Sequence, residues 1–285
     1  MTHAFLEAVA ADAGDPRRPV AEDTPSGTPA IGWYPGHMAT AMRRLREDMR
    51  AIDVVIEVAD ARLPRAGTNP ALRRIAAERP RVLVLSRAQL AEVTLTQAWI
   101  AYYATQHRHA IAVDAKDRGG IVRLQNALAA LAAGRKTVRA IVLGIPNAGK
   151  STLINALAGR NVARAEDRAG VTRARQWFRV GPLEIMDTAG VLVPKIASRD
   201  EQWKLALIGA VPRARFDAED VALHFGRWYA QTYGSGAVPD LATFAQSRGF
   251  IRRGKMADMH NAAWAYLAAW SQGAFGPMTL EAPQP

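Results

Sequence analysis

The 285-residue chain is 49% hydrophobic and 22% charged, which supplies a sizeable core and about two domains of a soluble globular protein. Its longest apolar runs, IDVVIEVA and RAIVLGI, are strand-length, far short of the roughly 20 residues a helical bilayer crossing needs, so no transmembrane helix is expected. The absence of cysteine excludes disulfides, thiol catalysis and cysteine-ligated metal, and fits a reducing compartment.

The net charge of +11 is unevenly placed. Residues 1–50 carry six basic and seven acidic groups, residues 198–285 nine and eight, and residues 51–197 twenty-two and eleven, so the whole excess lies in the middle. Only six of the basic residues are lysine, and a mostly guanidinium surface suits bidentate contacts to a polyanion.

Residues 1–30 scatter Glu7, Asp12, Asp15, Glu22 and Asp23 among Pro, Gly and Ala, unlike a signal or transit peptide; a flexible leader and a cytoplasmic protein are expected. HMATAMRRLREDMRAI then reads as an amphipathic helix, DVVIEVAD as a buried strand, Asn69 to Arg79 as a helix and RVLVLS as a strand. A helix around Leu95 to Gln106, strand AIAVD, a helix from Ile121 to Leu131, strand VRAIVLG and a helix from Gly149 follow. Continuous apolar strands alternating with helices predict an α/β fold, a parallel sheet covered on both faces. After Val193 the pattern turns helical, which predicts one domain over 31–197 and a second, all-helical one over 198–285. Trp99, Tyr102 and Tyr103, at helical spacing, and Met38, Met42 and Met49 read as packing residues.

Chemistry concentrates in GIPNAGKST. Gly144, Gly149, Lys150 and Ser151 match the phosphate loop G-x-x-x-x-G-K-[ST], here following an apolar strand and opening a helix. In that setting the backbone from Asn147 through Ala148, Gly149 and Lys150 to Thr152 faces the phosphates, Lys150 bridges the β- and γ-phosphates, and the Ser151 hydroxyl ligates Mg²⁺. Further on, LEIMDTAGV ends a strand in Asp187, where a carboxylate belongs beside the ion, and Gly190 lets a backbone N–H approach the γ-phosphate. D-T-x-G is the GTPase form of this motif. Thr172, in AGVTRARQW between the two, is placed to complete the metal coordination. The arginines around it fit either an RNA-contacting switch or a solvated loop. Val191 follows Gly190 and cannot orient water, so hydrolysis needs another group or a partner.

Upstream, VLVLSRAQL offers the strand, turn and leucine in which guanine is usually read, and AVDAKDRGG sits where an [ST]-A-K loop would. With these motifs preceding the phosphate loop, the chain resembles the circularly permuted GTPases, specifically the ribosome biogenesis GTPase A group that assists large-subunit assembly in bacteria and mitochondria. The resemblance spans about residues 31 to 285 and includes IGWYPGHMATAMRRL, VADARLPRAGTNP, RGFIRRGKMAD and GPMTLE. It implies a permuted P-loop GTPase domain over 31–197, a helical RNA-binding domain over 198–285, GTP or GDP with Mg²⁺, the large ribosomal subunit and its rRNA as partners, and a monomer off the ribosome.

The guanine-reading residues of the family fall on Ser86, Arg87, Ala88 and Gln89, where three of the defining identities are replaced, and on Asp114, Ala115 and Lys116. Gln89 offers one neutral oxygen and an amide donor in place of a carboxylate. Losing that charge-assisted bidentate pair costs about 1.5–3 kcal/mol, roughly ten- to a hundredfold in affinity. By the same resemblance His37 substitutes for the missing catalytic glutamine, Asn147 helps bind an activating K⁺, and Arg248, Arg252, Arg253 and Lys255 contact rRNA; a hydrogen-bonded histidine and a solvated charged face are the bland alternatives. Two functions stay open: a ribosome-stimulated GTPase, and an rRNA-binding scaffold with a weakly base-specific GTP or ATP site.

Overall fold

The computed structural model describes residues 36–131, 135–159, 176–188, 190, 191, 196, 198–234, 236, 238–250 and 257–283. Its six strands are β1 (Val54–Asp60), β2 (Arg81–Ser86), β3 (His109–Val113), β4 (Val138–Gly144), β5 (Gln176–Val180) and β6 (Leu183–Asp187). They form one sheet in the order β3-β2-β1-β4-β6-β5, parallel throughout except that β5 runs antiparallel to β6. Every residue of β1 is buried, as a strand covered on both faces requires.

Helices α1 (Gly36–Asp48), α2 (Pro70–Ile75), α3 (Val93–Thr105), α4 (Arg118–Leu131) and α5 (Lys150–Ala158) connect the strands. Helix α2 is shorter than the sequence suggests. Asn69 caps it by accepting from Ala71 N at 2.9 Å and Pro70 fits its first turn, but Pro80 disfavours helical backbone at Arg79, so the chain turns at Ala76 to enter β2. The antiparallel β5 is an element the sequence did not announce.

Registers pair Asp60 with Ser86, Ser86 with Val113, Val58 with Gly144 and Ile141 with Met186. The carboxyl ends of the parallel strands therefore share one edge. Strand order reverses between β1 and β4, the switch point at which such sheets bind ligands.

Helices α6 (Arg199–Leu207), α7 (Ala218–Tyr233), α8 (Leu241–Ser247) and α9 (Met259–Ser271) follow. Each opens on a side-chain cap, from Ser198, Asp217, Asp240 and Asp258 in turn, worth about 1 kcal/mol apiece. Phe225 sits at the centre of an aromatic core with Trp228, Tyr266, Trp270 and Phe275 around it. Beyond α9 the chain returns to the sheet: Met278 N donates to Leu90 O at 3.0 Å, Leu280 N to Arg62 O at 2.8 Å, and Trp99 Nε1 to Glu281 O at 3.0 Å. Trp99 is fully buried, Tyr103 and Met49 are buried, and Met42 packs against the core, in line with their reading as packing residues. Among the described residues no helix is long and apolar enough to cross a membrane.

Candidate nucleotide site

The phosphate loop leaves β4 at Gly144, where a Cβ would lie 2.4 Å from the Val58 carbonyl oxygen, so only glycine lets β4 approach β1 this closely. The loop turns through left-handed backbone at Asn147 (φ 57°) and Gly149 (φ 91°) before α5 begins. Lys150 is 8% exposed. Its Nζ donates to Ile145 O at 2.9 Å and lies 3.4 Å from Gly144 O. Burial pushes its pKa down to about 8, against the upward pull of Asp187.

Asp187, at the end of β6, is buried, and burial raises its pKa although Lys150 and hydrogen bonds from Ser151 and Thr188 oppose the rise. Ser151 Oγ donates to Asp187 Oδ2 at 3.2 Å, while Asp187 Oδ1 is buried with no hydrogen-bond partner among the described residues. A hydroxyl and an orphaned carboxylate oxygen beside a buried ammonium form a hard-oxygen site, and this donor set fits Mg²⁺. At Gly190 a Cβ would come within 2.6 Å of Pro146 N and Cα, so the segment after β6 lies directly on the phosphate loop. It is held there by Val191 N donating to Gly144 O at 3.2 Å and by Asn69 Nδ2 donating to Val191 O at 2.8 Å.

The turn after β2 touches the same loop. Ser86 Oγ donates to Ala148 O at 2.6 Å and lies 3.1 Å from Ala59 O, so its hydroxyl ties the turn to the phosphate loop. Arg87 takes left-handed backbone (φ 54°) and its Nη1 donates to Asp60 Oδ2 at 3.0 Å. Asp60, fully buried, also receives Nε and Nη2 of Arg62 at 3.0 and 2.9 Å. Burial alone would raise the Asp60 pKa, but the Arg62 and Arg87 charges prevail and hold it below the usual carboxylate range. Arg62 in turn lies 4.0 Å over the Trp270 ring, so the turn is wired to α9. Gln89 is exposed at the middle of a single 3₁₀ turn, Ala88–Leu90. Alongside, Asp114 Oδ1 accepts from Lys116 N at 2.9 Å, a local bond that shapes Ala115 and Lys116 into a turn.

Of the residues singled out from sequence, the fold brings Ser86, Ala148, Gly149, Lys150, Ser151, Asp187 and Gly190 together, while Thr152 and Lys116 are exposed. Asn147 Nδ2 donates to Gly209 O at 2.7 Å, joining the phosphate loop to the turn after α6. Arg248 is exposed, its guanidinium 5.6 Å from the Phe244 ring. Thr172, Arg252, Arg253, Lys255 and the His37 side chain lie outside the described residues. Sequence reading passed over Asp60, Arg62, Asn69 and Gly209; the first three stand in VADARLPRAGTNP, singled out as a block but not residue by residue.

Residues 139–225 match the 50S ribosome-binding GTPase family. Ribosome biogenesis GTPase A of Bacillus cereus is 35% identical over 279 residues, covering 89% of this chain and 94% of that protein. The chain belongs to the ribosome biogenesis GTPase A family. The family member from Thermotoga maritima is 28% identical over 257 residues, covering 89% of this chain and 95% of its own length. The solved GNP-bound YlqF from T. maritima superposes with a TM-score of 0.67 at 25% identity over 86% of this chain and 98% of that one. A GDP-bound YlqF structure matches at 0.64 and 26%. The α/β fold with its helical C-terminal region and the GTPase character expected from sequence are those of the ribosome biogenesis GTPase A family.

Proposed function

We propose that this member of the ribosome biogenesis GTPase A family is a Mg²⁺-dependent GTPase acting on the large ribosomal subunit, with hydrolysis stimulated by the ribosome. The observation that carries this reading is the convergence of Lys150, Ser151 and Asp187, with Asp187 Oδ1 unpartnered at the phosphate loop. Large-subunit action is supported by the 50S named in the matching family and by a guanidinium-rich middle segment. Lys150 exchanges the Ile145 carbonyl for phosphate oxygens, and Gly190 presents its N–H to the γ-phosphate. Ser151 and Thr172 would hold Mg²⁺ directly, with Asp187 behind them, and the ion would supply neutralisation of phosphate charge. His37 handles the proton of the attacking water when the ribosome is engaged, and Asn147 would supply a ligand to K⁺. Arg248, Arg252, Arg253 and Lys255 contact rRNA. The protein works in the cytoplasm as a monomer off the ribosome.

Guanine is read by Gln89 and by the Ala115 N–H, with Ser86 and Arg87 holding the turn in place. Because Gln89 lacks the carboxylate that takes both guanine donors, a second reading keeps a scaffold whose site binds purine nucleotides with little discrimination. Equilibrium titration with GTP, GDP, ATP and ADP, in Mg²⁺ and K⁺, separates the two. The enzyme reading expects guanine nucleotides to bind at least roughly tenfold better than adenine ones and Gln89→Asp to widen that gap by about ten- to a hundredfold. Equal binding of all four by the wild type, with guanine preference restored by Gln89→Asp, would give the scaffold reading the lead.

A further inference from the structure

At the opposite edge of the sheet from the nucleotide, the amino ends of β2 and β3 frame a cleft of about 240 Å³, with Arg79, Arg81, His107, Arg108, His109 and Glu57 on its walls. We propose that this cleft binds a phosphate group of the RNA backbone, a contact separate from both the nucleotide site and the helical domain. The proposal rests on the ribosome-directed reading above.

The cleft is built around a buried acid that organises cations. Glu57 is 4% exposed in the middle of β1. It receives Arg108 Nη2 at 3.0 Å and has Arg73 Nε 3.9 Å away. Arg108 also lies 4.4 Å over the Tyr103 ring, so its guanidinium is fixed from two sides before any ligand arrives. Arg79 donates to Met49 O at 3.1 Å and Arg81 to Arg73 O at 3.4 Å. Each of those bonds uses one of five guanidinium N–H donors. Three guanidinium groups and one carboxylate thus line the cleft, a net of +2 by that count, and Arg73 lies beside the same carboxylate.

Two features mark this as more than a solvated basic surface. Arg73 Nε and Glu57 Oε1 are buried without hydrogen-bond partners among the described residues. Burial lowers the Arg73 pKa, Glu57 pulls it back up, and Arg108 and Arg81 add smaller downward pushes, so the carboxylate is what holds these cations together. A phosphate in the cleft accepts from the guanidinium N–H groups of Arg79, Arg81 and Arg108 that those bonds leave over. Second, His107 closes α3 in left-handed backbone (φ 53°), with Arg108 N bonded to Tyr103 O at 2.9 Å. Glycine is the usual residue at that position; here an imidazole stands there, at the mouth of the cleft.

Size decides the ligand class. At roughly 30 Å³ per water the space holds about eight waters, and it falls below the ~300–1,000 Å³ of pockets that enclose a whole small molecule. A phosphodiester fits, with its sugars and bases left outside, and no group here reads a base. Backbone contact without base readout positions an RNA and leaves sequence to other contacts.

The test is filter binding of a radiolabelled 23S ribosomal RNA transcript to the full chain across a salt series. Arg79→Gln/Arg81→Gln is compared with wild type and with the charge-keeping Arg79→Lys/Arg81→Lys, thermal melts serving as the check on folding. We expect the Gln pair to bind about tenfold more weakly at low salt and to flatten the log–log salt slope by about 0.7–0.9, the loss of one neutralised phosphate. The Lys pair keeps most of the affinity, and GTP turnover without ribosomes is the same in all three. A folded Gln pair with wild-type affinity and slope overturns the proposal. So does a Gln pair that loses calorimetric binding of inorganic phosphate while its transcript affinity and slope stay at the wild-type values, which assigns the cleft to free anion. If the wild type binds neither this transcript nor ribosomal particles, the ribosome-directed reading itself fails, and the proposal with it.

Discussion

Nucleotide affinity is expected to weaken about tenfold between pH 7 and pH 9, in a range where an ordinary lysine is silent. The cause is Lys150, 8% exposed and held on the Ile145 carbonyl at 2.9 Å, whose pKa burial lowers from 10.5 to about 8. At about 1.4 kcal/mol per tenfold change in protonation, holding this charge at neutral pH costs the nucleotide-free fold about 3 kcal/mol. The unfolded chain keeps the proton to about 10.5 and the folded chain only to about 8. The unfolded state therefore binds more protons across that window, and the nucleotide-free fold gains stability as pH rises through it. Bound phosphates reverse the balance, because an opposite charge favours the ammonium. Binding then selects the protonated form, which makes up roughly a tenth of the free protein at pH 9. The phosphates themselves contribute no comparable change, their second ionisation, with a pKa near 6, being about nine-tenths complete at pH 7. Calorimetric titration of GDP from pH 7 to 9.5, in two buffers of different ionisation enthalpy, reads both affinity and proton uptake, with about half a proton taken up per nucleotide near pH 8. A dissociation constant that stays flat to pH 9, with no proton uptake, would refute the reasoning. Lys150→Met should bind weakly at every pH and, without nucleotide at pH 7, melt higher than the wild type.

Two further substitutions probe the same edge. Asp187→Asn removes the charge from the unpartnered Oδ1 and is expected to lower Mg²⁺-dependent GTP turnover by about two orders of magnitude, while GDP affinity measured in EDTA stays within about threefold of wild type. Gly190→Ala places a methyl group 2.6 Å from Pro146; the loop must shift, which costs about 1–3 kcal/mol, and both the melting temperature and GTP affinity should fall, the latter at least roughly tenfold.

What the sequence disclosed follows from what leaves a local trace. VRAIVLG became β4 residue for residue, because a continuous apolar run bounded by a glycine turn has few other ways to be buried. The phosphate loop was legible because its glycines and Lys150 answer to backbone geometry and charge at fixed spacing. β5 escaped because QWFRV lies in an arginine-rich stretch and is a strand only through its register on β6. The clamp on the turn after β2 escaped for a different reason. Asp60 and Arg62 look like ordinary loop charges until α9, far along the chain, lays Trp270 against the guanidinium. Asn147 shows the converse, since its motif suggests an ion while its amide holds Gly209 O. Position in a motif says which residue is present, and only packing says what it touches.

The return of the chain to the sheet after α9 has a consequence in time. Glu92, just past the turn after β2, donates one hydrogen bond to Thr279 Oγ1 and receives one from Thr279 N across 187 residues of sequence. At about 5–20 residues per second of synthesis, roughly 10–40 s separate the making of the turn from the making of the segment that seats it. The phosphate loop and β1 to β4 can pair in that interval, yet Leu90 and Arg62 lack their backbone partners until Met278 and Leu280 arrive. A growing chain still on its own ribosome thus holds the phosphate loop and lacks the clasp that seats the turn beside it.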